Sequence, residues 1–473
     1  MINLYVLPLV ASYVDNICKD VNIKISNKKK MWLKFCLTMM ILTNCINWDL
    51  FQRFSFGSYK SKALSFMFHH AGVPFQLLFD AGIKNIIKIF YITKGHLIID
   101  DTDRPRSKVI KVIAFVFKSF NKKTGGYFNC QNLVFIVLVT NKVTIPVGFK
   151  FYTPCPETKK WKELDKKIRV LNKEGFLSKN GKKLKRPDKP KRSIEHPTRN
   201  HLAVKLIEEF KKKFPEIKIL SCSFDAAYSS GENMQQVENI LPEAAVISEF
   251  ACTIIVADLR RSAAIEDYFK SIPTQKITIQ IRGDEEQKVE IKHARVFVPA
   301  HGRKYNAVAL RYEGEANFRY IITSNLYWRA KDVVQVFTYR WLVEVFFSDW
   351  KCYESWGQAA MQQKNAGALC GVHMSLLSDQ CLLSHPEQIR RIQSGLPACT
   401  VGSLREKLIV EQHLHHIKGL LYSDNPVEKM KAYANNIEQC FVYRDSKKHM
   451  SGRNFTDFGP DPNLVKKYST LTA

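Results

Sequence analysis

Three acids in this chain stand where carboxylates could do chemistry. Asp101 closes the apolar stretch HLIIDD, Asp225 closes KILSCSFD, and Glu344 lies in the helical pattern FTYRWLVEVFFSDWK, Phe337 to Lys351. Two divalent cations about 4 Å apart need several hard oxygen ligands on rigid elements, and such a pair stabilises both the attacking and the leaving oxygen of a phosphoryl transfer. At about 100° per residue, Arg340, Glu344 and Lys351 fall at about 300°, 340° and 320° from Phe337, so the four share an arc of ~60°. One helix face then offers a metal-binding carboxylate between two cations able to hold phosphates. The plain alternative is an exposed Arg/Glu ion pair, which contributes a few tenths of a kcal/mol. Trp341, Phe346, Phe347 and Trp350 argue for a mostly buried helix instead, where a lone Glu is costly unless paired or ligated. A single acid at a strand end more often caps a helix or closes a turn; the joint pattern carries the reading.

The elements that must hold these acids follow from periodicity. Residues 1 to about 90 have helical spacing of apolar residues and few strand signals, so a helical N-terminal domain is expected. Its Lys28–Lys30, Lys34, Arg53, Lys60 and Lys62 suit DNA or a solvated face equally. From His96 the period changes to β: HLIID, LVFIVLV and VTIPVGFKFY follow one another as an antiparallel meander. Thr198 can cap a helix reaching about Phe214, and the strand ending at Asp225 comes next. Ser229 and Glu232 read as a capping box, which sets Asp225 at a strand-to-helix turn, a place where site residues gather in α/β layers. AAVISEF looks like a further buried strand. KITIQI, VEIKHARVFV, AVALRY and FRYIIT, with a turn at Arg282-Gly283-Asp284, predict a β-rich insertion over 254–328. A helix runs from Lys331 through Cys352, continuing with breaks to about Ser394. Two more helices lie near Ser403–Leu421 and Pro426–Cys440, ahead of a Gly/Pro/Asn-rich tail.

The partner class is written in the charge. Among 473 residues, 72 Lys and Arg oppose 44 Asp and Glu, leaving +28, a field that draws polyanions, nucleic acid first and an anionic membrane surface second. From Lys159 to Arg199 there are 16 Lys or Arg against 5 Asp or Glu, including GKKLKRPDKPKR. This reads as a basic loop, 156–199, contacting phosphates, because counterion release rewards such clusters. With 45% hydrophobic residues the chain is too apolar to be mostly disordered. The first basic residue is Lys19, so no charged region precedes the apolar Leu4–Val10 and no secretory signal is expected. Met31–Trp48 contains Lys34, Thr38, Thr43 and Asn44 and suits a buried helix rather than a membrane span. Twelve scattered Cys without a CxxC pair argue against a zinc ribbon or a disulfide framework; Cys222 and Cys352 read as buried small residues. His413, His415 and His416 read as a solvated helix face, and Phe318, Tyr320 and Trp328 as core.

HLIIDDTDRPRSK, SFDAAYSS and YRWLVEVFFSDWK resemble the DDE transposases of bacterial insertion sequences, in the branch called insertion-sequence family four, marked by a helix motif Tyr-x2-Arg-x3-Glu-x6-Lys. Arg340, Glu344 and Lys351 match that spacing, whereas Phe337 stands at the Tyr position, so the phenol's phosphate contact is absent. Periodicity leaves Asp100, Asp101 and Asp103 as candidates for the first acid. The family's acid just before Thr implies Asp101, with Asp103 as the fallback and Asp100 on the opposite strand face.

The resemblance implies an α/β fold with an RNase H-like catalytic core over 91–253 and 329–395, the β-rich insertion before the helix bearing the third acid, and a C-terminal region, 396–473, with a possible dimerisation role. It implies a cut-and-paste transposase in which Asp101, Asp225 and Glu344 hold two Mg²⁺ ions, with Mn²⁺ as a substitute. Arg340, Lys351, Arg104, Lys183, Lys185 and Arg186 are expected on DNA. Expected partners are transposon-end DNA with its terminal inverted repeats, target DNA and a second copy of the chain, with no membrane, in a bacterial cytoplasm at the nucleoid. An RNase H-like endonuclease without strand transfer and a non-catalytic DNA-binding relative are the rival readings.

Overall fold

A mixed sheet organises the chain, which is described here by a computed structural model. The described residues are 6–441, apart from 22, 107–112, 122–123, 178–180, 192, 260, 283–284 and 357–363. The turn expected at Gly283-Asp284 and the tail beyond Phe441 lie outside them. The strands are β1 (Lys94–Arg106), β2 (Val116–Asn121), β3 (Gly126–Val139), β4 (Thr144–Tyr152), β5 (Lys218–Phe224), β6 (Ala245–Phe250), β7 (Ile255–Ala257), β8 (Ser262–Ala264), β9 (Gln275–Arg282), β10 (Glu285–Val298), β11 (Arg303–Tyr312) and β12 (Arg319–Thr323). Their order is β2-β3-β1-β5-β6-β12-β11-β10-β7-β8, with β4 on β3 and β9 on β10. β1, β5 and β6 run parallel, and β1–β3 and β3–β4 are antiparallel. The fold is therefore mixed α/β. The expected meander has an extra strand, β2, and β1 and β3 run longer than their apolar runs because polar residues continue both ladders beyond the core.

β3 is buried without alternation from Cys130 to Val139 because both of its faces are covered. On one face lies α7 (Arg199–Lys213), capped by Thr198 accepting from His201 N. On the other lies α11 (Trp341–Tyr353): Phe346, Phe347 and Trp350 pack their rings on Phe135 at centroid distances of 5.7, 5.4 and 5.1 Å. Such aromatic contacts add to the area they bury and fix the helix on the sheet.

The N-terminal helices are α1 (Pro8–Lys19), α2 (Asn27–Thr43), α3 (Trp48–Phe54), α4 (Ser61–His70) and α5 (Phe75–Phe90). They share a core with α12 (Lys364–Leu383) and α14 (Val401–Leu421), while α13 (Pro386–Gln393) touches α5. Gly82 permits the close approach of α12 to α5, since a Cβ there would lie 1.9 Å from Gln380 Oε1. That buried amide also accepts from Tyr13 Oη, tying α1 into the same contact. Residues up to Leu421 form one unit; Tyr422 opens a second, whose described helix is α15 (Pro426–Cys440). Among the described residues no helix is long and apolar enough to cross a membrane.

The β-rich stretch expected over 254–328 joins the first sheet: β12 pairs with β6, so its strands extend the sheet that carries Asp101. Its own core closes against α10 (Ala330–Thr338) through Val333, Val334 and Phe337. Three expectations are corrected. The basic loop 156–199 begins instead as an 18-residue helix, α6 (Pro156–Lys173), because Pro156 starts it and its lysines, good helix formers, need no core to stay solvated. The chain that returns after it is strapped back by Arg186 on Asp165, by Trp161 Nε1 on Pro187 O and by Asn172 on Leu184. The capping residue of α8 (Gly231–Ile240) is Ser230, because Ser229 bonds back to Ala226 O. Finally, the helix from Lys331 to Cys352 is divided at Tyr339–Arg340, where bonds of i−3 spacing tighten the turn. There the chain passes from the insertion core, which holds Phe337, to the main core, which receives Tyr339.

Candidate active site at the ends of β1 and β5

Parallel pairing of β1 with β5 matches Ile99 to Phe224, so Asp100, Asp101 and Asp225 come to one edge of the sheet. Asp225 caps a single turn, Ala226–Tyr228, its Oδ1 accepting from Ala227 N at 2.9 Å. Burial raises its carboxyl above the usual range, and the charge on Asp101 pushes the same way.

Successive residues of β1 point to opposite faces. Asp101 and Asp103 share one face, where the Asn132 amide donates to Asp101 Oδ2 at 2.6 Å and to Asp103 Oδ1 at 2.9 Å. Tyr228 Oη donates to Asp101 Oδ1 at 3.1 Å, and Arg199 Nε stands 3.6 Å from Asp101 Oδ2. The Arg199 guanidinium also covers the Tyr152 ring, 4.6 Å from its centroid. Asp101 is thus cradled by an amide, a phenol and a cation.

Asp100 and Thr102 share the other face, on which α11 packs. Arg340 bridges this face to the helix: Nη1 lies 3.2 Å from Asp100 Oδ2 and Nη2 lies 3.2 Å from Glu344 Oε1. Burial lifts the Asp100 carboxyl to about 6, with the Arg340 charge opposing the rise. Glu344 keeps 53% of its side chain exposed. Lys351 reaches across to Thr102 Oγ1 and donates to Asp103 O at 3.1 Å; burial lowers its ammonium below the usual range. The arc of Arg340, Glu344 and Lys351 therefore faces the sheet edge despite the tightened turn before it.

Asp101, Asp225 and Glu344 are held by separate protein partners in this conformation. Among the described residues no three His, Cys, Asp or Glu side chains are gathered closely enough to hold one metal ion. The face relation also bears on the first acid: Asp100, set aside as facing away, is the one joined to Glu344, whereas Asp101 is joined to the Asn132 and Tyr228 side. The donor set itself, three carboxylates and no sulfur or imidazole, fits a hard divalent cation.

The cations expected on DNA divide. Lys183 and Lys185 are exposed. Arg186 is engaged bidentately by Asp165 at 2.6 and 3.1 Å and acts as a strap of the basic segment. Arg104 is 6% exposed, with its guanidinium 4.4 Å from the Trp356 ring centroid, and burial lowers it to about 9. Cys222 is buried as expected, and Cys352 is exposed because its position falls on the solvent side of α11.

Asn132, Tyr228 and Arg199 were not singled out from the sequence. Asn132 carried a signal, the last of three amides (Asn129, Gln131, Asn132) before an apolar run; Arg199 was one cation among many. Beside Arg340 and Glu344 a cavity of about 340 Å³ is walled by Tyr312, Phe337 and Trp341, with Arg319 at its rim. Compared with known proteins, the chain matches no family model and no curated protein.

Proposed function

We propose that this chain is a DDE transposase with an RNase H-like core, cutting the ends of a mobile DNA element and joining them to target DNA. One observation carries the reading. Acids and cations from three remote segments, around 100, 225 and 344, meet at one sheet edge in a chain of charge +28.

Asp101, Asp225 and Glu344 would hold two Mg²⁺ ions, with Mn²⁺ as a substitute; bound there, they would supply Lewis-acid activation of water and of the freed 3′-OH. The chain's own residues do the rest. Asn132 and Tyr228 hold the Asp101 carboxylate in one orientation by donating to both of its oxygens. Arg340 and Lys351 stand within the same edge as cations for the phosphates flanking the scissile bond, Arg340 by exchanging its carboxylate partners for a phosphate. The cavity beside Arg340, lined in part by Tyr312, Phe337 and Trp341, suits a nucleotide displaced from the duplex, its base against the rings and its phosphate against Arg319 and Arg340.

Away from the edge, Lys159, Lys162, Lys166 and Lys173 are exposed and recur at helical spacing on one side of α6. Lys159, Lys162 and Lys166 are neighbours about 5–6 Å apart and Lys173 follows two turns on, roughly 10 Å, a row that suits a phosphate backbone, with Lys183 and Lys185 on the strapped return. A homodimer on paired ends belongs to this reading.

Purified protein incubated with labelled DNA carrying its element's own end in Mg²⁺ tests it. The expected result is strand cleavage at the end followed by joined products. Cleavage that persists equally in Asp101→Ala and Glu344→Ala would overturn it.

A further inference from the structure

The β2–β3 hairpin presents two aromatic rings to solvent. Phe120 is 49% and Tyr127 75% exposed, and they stand opposite each other across the ladder with centroids 5.3 Å apart and planes at 65°. The turn closes by Gly125 N bonding to Asn121 O, with Gly125 at φ +69°, a conformation that suits glycine. On the hairpin's other face the ring of Phe117 packs on Tyr152 at 5.8 Å. The exposed pair is therefore not a consequence of a loose hairpin; one face packs and the other does not.

Register decides what that open face adjoins. Phe120 pairs with Tyr127, Lys118 with Asn129 and Val116 with Gln131; Asn129 and Gln131 in turn pair with Arg106 and Arg104. With side chains alternating, these residues share the face of Asp100 and Thr102. Cations follow one another along it from the acid edge outward, Arg340, Lys351, Arg106 and Lys118, while Arg104 between them is buried against Trp356. Arg106 is held by Gln131 Oε1 at 2.9 Å, and Lys118 is exposed. On this same face Thr102 pairs with Leu133, six residues from Tyr127, roughly 20 Å along the strand. Rings on a cationic path are how proteins hold unpaired bases, each stacked base contributing about 1–3 kcal/mol regardless of sequence. β2 is also the edge of its sheet. Bare aromatics on such an edge invite aggregation unless a partner takes them.

We propose that the exposed face of the β2–β3 hairpin is a stacking platform for unpaired DNA bases, with Phe120 and Tyr127 receiving the strand that leaves the acid edge. The proposal rests on the DNA reading above and adds a single-stranded ligand to it. The full chain and a Phe120→Ser/Tyr127→Ser double variant are compared by fluorescence anisotropy on a short labelled single strand and on its blunt duplex. A 2-aminopurine base in the strand reports stacking. The double variant is expected to lose about ten-fold in single-strand affinity, together with the 2-aminopurine quench, and less than two-fold on the duplex. Phe120→Tyr and Tyr127→Phe should keep wild-type values. Should the double variant not fold, Tyr127→Ser alone carries the test, with a smaller loss of the same pattern.

Unchanged single-strand affinity and quench, or an equal loss on both DNAs, would overturn the platform. Unchanged DNA binding with a drop in oligomeric state on sedimentation would assign the rings to a protein interface and overturn it too. A wild-type chain that binds neither DNA would defeat the DNA reading itself, a different outcome from the others.

Discussion

At its first turn α11 presents Glu344, half exposed and paired with Arg340; just past its last turn Glu354 is 1% exposed and buried against Asp379 of α12. The two ends of one helix hold acids in opposite circumstances. Glu344 can change partners through a side-chain rotation because solvent and a cation are at hand. Glu354 cannot, since α2, α12 and α14 close over it: Ser375 donates to Glu354 O, Asn44 donates to Cys352 O, and Arg405 Nε donates to Ile41 O. Burial raises Glu354 well above the usual carboxylate range, Asp379 and Asp349 add to the rise, and the Arg405 charge opposes it. Burial likewise lifts Asp379 to about 7. An acid beside an arginine at an open edge is available for chemistry, while an acid beside an acid in a core is a liability that depends on keeping a proton.

The largest test of that contrast is at the open end. Asp225→Asn or Glu344→Gln should lower Mg²⁺-dependent DNA cleavage about 1,000-fold in a gel assay, as expected when metal-borne charge stabilisation of several kcal/mol is lost. The melting temperature should hold, because each change removes charge from a crowded edge. A wild-type rate in either variant would place the chemistry elsewhere. Next in size, Arg340→Ala should reduce cleavage about ten-fold, the scale of one charged hydrogen bond. Asp100→Asn, which spares Asp101, should do less. A larger loss from Asp100→Asn than from Asp101→Asn would move the first ligand to the face of α11.

At the closed end the prediction concerns stability. Burial holds the Asp379 carboxyl, and Glu354 beside it, above the ordinary carboxylate range, so the stability they contribute is fully present below about pH 4 and is lost as the pH rises through the raised range. Melting curves from pH 5 to 8 should fall for the wild type and fall less steeply for Asp379→Asn, in which buried Glu354 still titrates, so that the variant melts a few °C higher at pH 8. A wild-type curve that rises over this range would contradict the buried pair. The smallest effect is expected on the basic segment: Arg186→Ala should speed proteolysis between α6 and α7 while leaving global melting unchanged, because its partner bond is at the surface.

Much of this was legible in the chain. The apolar runs of β3, β5 and β6 and the Thr198 cap of α7 follow from local sequence, which needs no distant partner. The segments bearing Asp101, Asp225 and Glu344 could be named because strand ends and helix faces are local facts. The strapped helix α6 was hidden because dense charge and prolines point to a loop, whereas a solvated helix of lysines with one buried Asp165 satisfies both propensity and charge. β2 was hidden because its alternation, VFKSFN, is short and its partner is a strand whose polar half looks like loop.

Composition and periodicity by themselves determined a mixed α/β chain, a polyanion-seeking charge and a short roster of acids. Which acid faces which cation belonged to the tertiary structure. Whether Arg340 meets Asp100 or Asp101 depends on which sheet face receives α11, and that is decided by Phe346, Phe347 and Trp350 packing against Phe135. Those contacts join residues some 200 positions apart in the chain, where local propensity carries no information.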